Sequence, residues 1–146
     1  MKIETTRFGQ IDIDEKKIIH MPFGIPGFPE RKDFVMLRHK EDSPFYWYQS
    51  VDEPSLAFVI TNPYIFFPDY NIDLNGIIKE MKWNSLNREN IEVYVIVNIP
   101  KGRPKDMTVN LMGPLIINTE KREAIQAILV NTPYSHRHPV FKDSKD

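Results

Sequence analysis

The hydrophobic positions of this chain recur mainly with a period of two, which is typical of β-strands. The clearest case is Ile91–Ile99, where every odd-numbered residue is isoleucine or valine and forms one apolar face. Other runs rich in β-branched and aromatic residues also predict strands: Lys2–Arg7, Gln10–Ile13, Lys17–His20, Phe34–Arg38, Phe45–Val51, Leu56–Thr61, Leu115–Asn118 and Ala124–Val130. The pattern therefore indicates roughly eight to ten short strands.

Turn residues separate these runs. Phe8 and Gly9 predict a hairpin between the first two runs, and Thr119–Glu123 predicts another hairpin before the last run. In the segment 21–29, three prolines and two glycines exclude regular secondary structure. We expect a stiff loop there that presents its three large apolar side chains, Phe23, Ile25 and Phe28.

One segment shows the helical period. Its apolar residues are spaced at i, i+3, i+4 and i+7, and they are Leu74, Ile77, Ile78 and Met81. Asp73 can cap the start of this helix, and Gly76 weakens it.

These elements predict a mostly β fold, a small closed or partly open β-barrel of short antiparallel strands with one short helix. A chain of 146 residues suits one domain with a proper core, and we assign that domain to residues 1–141. The polar tail, residues 142–146, is expected to fray.

The composition narrows the class of protein. The chain has no cysteine, which excludes disulfides and thiolate chemistry and fits a reducing compartment. It has no apolar run after its charged start and no stretch of roughly 20 apolar residues, so neither a signal peptide nor a membrane span is expected. We therefore expect a cytoplasmic protein with no membrane contact.

The most distinctive segment, residues 41–78, contains no lysine or arginine but six acidic residues. It also contains nine aromatic residues, out of seventeen in the whole chain. Phosphate contacts need cations, so this segment suits a protein partner better than nucleic acid. Aromatic side chains supply contact area, and carboxylates steer a basic partner. Many of the aromatics must nevertheless fill the core. The residues predicted to do so are the aromatic Phe45, Trp47 and Phe58, together with Ile60.

Signals for catalysis are weak. His136 and His138 would share one face of a strand and could hold a metal with a third ligand, so a metal-dependent enzyme is one alternative. Asp52 and Glu53 are adjacent and point to opposite faces of an extended chain, which disfavours a paired acid and base. No catalytic residue and no cofactor is assigned.

A second alternative is a β-barrel that binds single-stranded nucleic acid by stacking bases on Tyr46, Tyr48 or Phe67. The absence of interleaved cations in that region counts against direct nucleic-acid binding.

Several motifs, in one order from about Met1 to Phe141, resemble the family of the flagellar assembly factor FliW. The segments that carry the resemblance are Gly24–Phe28, Ser43–Asp52, Leu56–Pro63, Phe66–Tyr70, Thr108–Asn118 and Tyr134–Pro139. The resemblance implies a small β-barrel-like, non-enzymatic regulator of bacterial flagellum biogenesis. It implies a chaperone-like protein that binds flagellin in the cytoplasm. When free, such a protein binds and antagonises the carbon storage regulator CsrA, which relieves repression of flagellin translation.

The resemblance also implies a strongly acidic segment after Tyr70, whereas this chain has only Asp73 and Glu80 between residues 71 and 83. Acidic contacts to the regulator are therefore expected elsewhere. The candidates for partner contact are the aromatic and acidic residues Tyr46, Tyr48, Asp52, Glu53, Phe66, Phe67, Asp69 and Tyr70.

Overall fold

The computed structural model describes residues 1–38, 40–83, 88–130 and 132–141. The predicted tail, residues 142–146, lies outside the described residues. The strands are β1 Lys2–Thr5, β2 Gly9–Asp12, β3 Ile19–His20, β4 Asp33–Arg38, β5 Phe45–Ser50, β6 Ala57–Thr61, β7 Ile91–Asn98, β8 Thr108–Val109, β9 Leu115–Asn118, β10 Glu123–Gln126 and β11 His138–Pro139. One α-helix, α1, spans Asn75–Met81. The mostly β class with a single described α-helix is confirmed.

Seven strands close into a ring of backbone pairings. The order is β3, β4, β5, β6, β7, β9 and β10, and β10 returns to β3. The long strand β7 makes closure possible because its first half pairs with β9 and its last two residues pair with β8. Strands β8 and β11 extend the sheet outside the ring, so the fold is barrel-like but not a strict barrel.

One pairing departs from the predicted antiparallel arrangement. Strand β10 meets β3 in parallel through the single pair Glu123 and His20. About a hundred residues separate these strands, so no tight hairpin constrains their direction. The other pairings of the ring are antiparallel.

The interior of the ring forms the main core. Its buried members are Ile19, Met21, Ile25, Phe34, Tyr48, Leu56, Ile60, Leu115, Ile117 and Ala124. Ile25 was predicted to be presented by the loop 21–29, but the structure buries it in this core together with Met21. Phe58 packs against this core and Ile60 lies within it, as predicted.

Two further apolar clusters cover the outside of the ring. The hairpin β1–β2, which was predicted from Phe8 and Gly9, packs Ile3 against Val35 of β4. A larger cluster lies on the outer face of β7, where Val95 and Val97 meet residues of the segment 107–111, which includes β8. We call it the outer cluster. Strands β4 to β7 are therefore apolar on both faces, because each face contacts a packed layer.

The remaining local predictions hold with small shifts. The hairpin Leu115–Asn118 to Glu123–Gln126 forms as predicted, and residues 127–130 continue it as extended chain. The helix begins after Leu74 instead of after Asp73, whose Oδ1 accepts the backbone N–H of Asn75 at 2.9 Å. The helix ends at Met81, and Lys82 after it adopts a left-handed conformation.

Candidate functional site

The structure divides the predicted contact residues between the two ends of strand β5. Asp52 and Glu53 follow the last residue of β5, whereas Phe66 stacks on Phe45 at its first residue, with ring centroids 6.3 Å apart. Six residues of extended chain span about 20 Å. The sequence proximity of these residues therefore does not bring them into one site.

Exposed aromatic and acidic residues flank the end where β5 begins. We call this region the aromatic–acid face. Its members, all exposed or half-exposed, are Glu41, Asp42, Phe45, Tyr64, Ile65, Phe66, Phe67 and Asp69.

A short 3₁₀ turn builds the apolar part of this face. Asn62 caps the turn by accepting the N–H of Tyr64 on its Oδ1 at 2.9 Å, and Pro63 supplies the fixed φ of the first position. The turn directs Tyr64 and Ile65 outward, and Ile65 is 56% exposed. An isoleucine this exposed beside half-exposed phenylalanines is typical of a surface that binds protein.

The buried Tyr70 and the half-buried Tyr134 support the face from below. The hydroxyl of Tyr70 donates to the carbonyl of Leu111 at 2.7 Å, and its ring contacts Tyr64 at 5.8 Å and Tyr134 at 4.7 Å. Burial raises the pKa of Tyr70, and the neighbouring Tyr64 and Tyr134 raise it further. The Tyr134 hydroxyl accepts the N–H of Asn71 at 2.9 Å, which ties this segment to the end of the chain.

The opposite end of β5 forms a separate acidic turn. The Ser50 hydroxyl oxygen accepts the backbone N–H groups of both Asp52 and Glu53. The Glu53 carboxylate lies 3.6 Å from the Arg31 guanidinium, which offsets its charge. Asp52 is exposed, and the described residues provide no ion pair for it.

Tertiary structure brings cations close to a segment that has none in sequence. Arg7 lies 3.9 Å from the ring centroid of Trp47, and Arg38 lies 5.3 Å from that of Tyr46. Arg38 also donates to the backbone carbonyl of Glu41 at 2.6 Å. Among the described residues, the carboxylates of Glu41, Asp42 and Asp69 form no ion pair. The acidic residues of the aromatic–acid face therefore carry a negative charge that no described cation neutralises.

A cleft of about 370 Å³ adjoins the aromatic–acid face at Tyr64. Its lining residues come from the 3₁₀ turn, the helix region and β7, and they are Asn62, Tyr64, Leu74, Arg88, Ile91, Glu92, Val93 and Tyr94. The Tyr94 hydroxyl donates to Glu92 at 2.8 Å, and burial together with this hydrogen bond raises the pKa of Tyr94. The cleft has the size and mixed lining to receive an apolar side chain of a partner.

Two predicted contact residues are not on the surface. Tyr48 is fully buried and stacks on Phe34 at 4.6 Å, and Tyr70 is 4% exposed. Tyr46 is half-buried and faces the ring interior, where its ring meets Tyr94 at 6.1 Å.

We predicted that Phe45 and Trp47 would take the core side of β5. The ring interior instead takes the even-numbered side chains Tyr46 and Tyr48, while Phe45 packs against the outer cluster and Trp47 is half-buried against Phe8.

The alternative functions lose structural support. His136 lies in a turn before β11, which starts at His138, so the two imidazoles do not share a strand face. His138 instead packs edge-on against Phe67 at 5.0 Å. Within the described residues no three metal-ligating side chains converge. Base stacking on Tyr48 is excluded by its burial.

The sequence reasoning missed Tyr64 and Ile65 as contact candidates. Both lie in an apolar run that reads as core, and only the capped turn exposes them. The Asn62-Pro63 pair was the available signal, since it predicts a turn start. No helix in the described part of the chain is long and apolar enough to cross a membrane.

The fold and the site together define a class: a small β protein, closed as a ring, with an exposed aromatic and acidic surface of the kind used in protein recognition. The family model for the FliW protein matches residues 2–140. The chain therefore belongs to the FliW family.

Individual relatives agree with this assignment. The flagellar assembly factor FliW of Magnetococcus marinus is 42% identical, and the match covers 99% of this chain and 87% of that protein. The flagellar assembly factor FliW of Desulfitobacterium hafniense (strain Y51) is also 42% identical, over 99% of this chain and 94% of that protein. A crystal structure of the flagellar assembly factor FliW superposes with a TM-score of 0.88 at 39% identity, and it covers 99% of both chains.

Proposed function

We propose that this chain is a non-enzymatic regulator of flagellum assembly that switches between two protein partners in the cytoplasm. It binds flagellin and, when free of flagellin, it binds and antagonises the translational regulator CsrA. Export of flagellin then releases the protein to lift repression of flagellin translation. The observation that carries this proposal is the full-length match to flagellar assembly factors.

The aromatic–acid face supplies contacts that suit flagellin. Unassembled flagellin termini are expected to be amphipathic and helix-prone, and such a helix binds through apolar side chains spaced along one face. Ile65 and Tyr64 are exposed, Phe66 and Phe67 are half-exposed, and the adjoining cleft can receive one anchor side chain. Rigid support from Tyr70 lowers the entropy that binding must overcome.

The acidic residues support binding of a basic regulator. An RNA-binding protein carries a positive surface, so carboxylates favour its approach and its correct orientation. Asp69 belongs to the aromatic–acid face, whereas Asp52 lies on the separate acidic turn. Glu53 contributes less because Arg31 already offsets its charge.

Size-exclusion chromatography tests the switch directly. The protein is mixed with purified flagellin, with purified CsrA, and with both together. We expect a complex with each partner and displacement of one partner by an excess of the other. Failure to bind either partner would falsify the proposed function.

Point variants then test the aromatic–acid face. Ile65→Ala and Phe66→Ala should each weaken binding of flagellin about 30-fold, which corresponds to the loss of an anchor worth about 2 kcal/mol. The joint variant Asp52→Ala, Glu53→Ala and Asp69→Ala should weaken CsrA binding and reduce its dependence on salt.

A matched control removes another exposed carboxylate. The control is Glu15→Ala, and Glu15 is an exposed residue of the 3₁₀ turn Glu15–Lys17 between β2 and β3. It should leave both affinities unchanged. If the triple variant binds CsrA as tightly as Glu15→Ala does, the acidic residues have no part in recognition of the regulator.

A further inference from the structure

The extended chain that follows β10 has one edge that pairs with no backbone group of the described residues. Ala127 and Leu129 donate their backbone N–H groups to the carbonyls of Pro114 and Met112, each at 2.8 Å. In an antiparallel pair, successive residues direct their backbone groups to opposite sides. The backbone groups of Gln126, Ile128 and Val130 therefore point away from residues 112–115, and no described backbone group pairs with them.

The side chains along this edge are unusually apolar for a surface. Ile128 is 68% exposed and Val130 is 73% exposed, the highest values for large apolar side chains in the described part of the chain. Exposed apolar strands with free N–H and C=O groups are ready templates for another strand.

A rigid loop faces the start of this edge across a groove. The groove has a volume of about 260 Å³, and its lining residues are Phe23, Gly24, Ile25, Pro26, Gly27, Pro29, Glu80, Ile125 and Gln126. The Gly24 backbone has a φ of +67° and packs directly against Pro29, so the loop is fixed before any partner binds. Phe23 is 61% exposed beside the groove.

We propose that the edge at residues 126–130 binds an extended segment of a partner protein as an added strand. The segment carries apolar side chains at alternate positions and a lysine or arginine next to them. Around the ring, β3 and β4 separate β10 from β5, the strand at whose start the aromatic–acid face lies.

The outward backbone groups of this edge favour an extended partner segment over a helical one. A helix uses its own N–H and C=O groups internally and cannot satisfy those of Ile128 and Val130, whereas an extended segment can. We expect a lysine or arginine in the partner segment because its charge would complement that of Glu80. Among the described residues that line the groove, only Glu80 carries a charge, and no described cation pairs with it.

The test uses nuclear magnetic resonance on the whole protein with a synthetic peptide as the probe. The peptide alternates valine and threonine and carries lysine at one end. We expect chemical-shift changes at the amides of Gln126, Ile128 and Val130, together with slower hydrogen exchange of Ile128 and Val130. An alanine-rich helical peptide of equal apolar content should not produce these changes.

Variants identify the contacts. Ile128→Pro removes an outward N–H without touching the bonds of Ala127 and Leu129, so it should weaken peptide binding at least about tenfold, as expected for one or two lost hydrogen bonds. Glu80→Gln should weaken binding of the lysine peptide but not of a peptide with threonine in place of lysine. Ile65→Ala is the matched control on the aromatic–acid face and should bind the peptide normally.

Three outcomes would overturn the proposal. They are the absence of peptide binding, equal binding of the helical peptide, and shifts confined to the aromatic–acid face. Self-association of the free protein that Ile128→Pro abolishes would also overturn it, since the occupant would then be a second copy of this chain. Failure here leaves the chromatographic test of flagellin and CsrA binding unaffected.

Discussion

At the scale of single residues, backbone conformation and buried polar atoms constrain the sequence most tightly. Gly24 is the clearest example, because a Cβ there would lie 2.3 Å from the carbonyl oxygen of Pro29. Gly27 has a similar positive φ of +92°, but its Cβ would meet no atom within 4 Å. A side chain at Gly27 would therefore cause backbone strain alone, whereas one at Gly24 would cause both backbone strain and steric overlap.

Gly24→Ala should destabilise the protein more than Gly27→Ala. Backbone strain alone costs Gly27→Ala about 1–2 kcal/mol, and Gly24→Ala adds a collision with backbone atoms that cannot move aside. Urea unfolding of both variants measures the difference. Equal losses would show that the loop 21–29 shifts easily, which would contradict its role as a rigid wall of the groove.

The buried hydroxyls of Tyr48 and Tyr70 differ in their hydrogen bonding. The Tyr48 hydroxyl has no hydrogen-bond partner among the described residues, whereas that of Tyr70 donates to Leu111. Tyr48→Phe should therefore stabilise the protein by about 1 kcal/mol, and Tyr70→Phe should destabilise it by about 1 kcal/mol. Free energies of unfolding in urea check both signs, and a loss in Tyr48→Phe as large as that in Tyr70→Phe would refute the assignment.

At the scale of secondary-structure elements, the helix is short and marginal by itself. It spans seven residues and buries none of them completely. Its attachment comes from Trp83, which follows the helix, is 1% exposed and donates its indole N–H to Glu123 at 3.0 Å. The helix is therefore held by tertiary contacts more than by its own propensity.

Gly76→Ala tests this view of the helix. Gly76 is exposed, and its Cβ would meet no atom within 4 Å, so the substitution fits without strain. Alanine should stabilise the protein by about 0.5–1 kcal/mol, because it reduces the freedom of the unfolded chain. Thermal and urea unfolding provide the measurement. A loss of stability would indicate that the helix start requires a conformation that only glycine adopts.

At the scale of the whole molecule, packing inside and outside the ring buries tyrosine hydroxyls and so opposes their ionisation. Burial raises the pKa values of Tyr48, Tyr70 and Tyr94 above the ordinary value of 10.0. The unfolded chain releases these protons near its ordinary pKa, while the folded chain retains them. Stability from these groups is therefore complete below pH 10.0 and falls as pH rises toward the folded-state pKa values.

We expect the free energy of unfolding to decrease steadily above about pH 10. Tyr48→Phe should reduce the slope of that decrease, because it removes one of the buried groups. Urea unfolding at a series of alkaline pH values, followed by tyrosinate absorbance, gives the slope. An unchanged slope in Tyr48→Phe would show that its burial does not affect alkaline stability.

The sequence alone determined much about this protein. Period-two runs located the hairpins and the strands β4 to β7, because side-chain alternation is a local property of extended chain. The ordered motifs indicated the family, which the full-length match confirmed. The composition of residues 41–78 predicted a region that binds protein, because aromatic and acidic content can be counted without a structure.

Only the tertiary structure decided which of these residues lie on the surface. Strand β5 lies between two packed layers, so alternation could not tell which side faces the ring interior, and Tyr48 proved to be core. Folding also separated Asp52 from Asp69 and brought Arg31 to Glu53, in a stretch that has no cation of its own. These outcomes depend on contacts between segments distant in sequence, such as the pairing that joins β10 to β3, and local pattern carries no record of them.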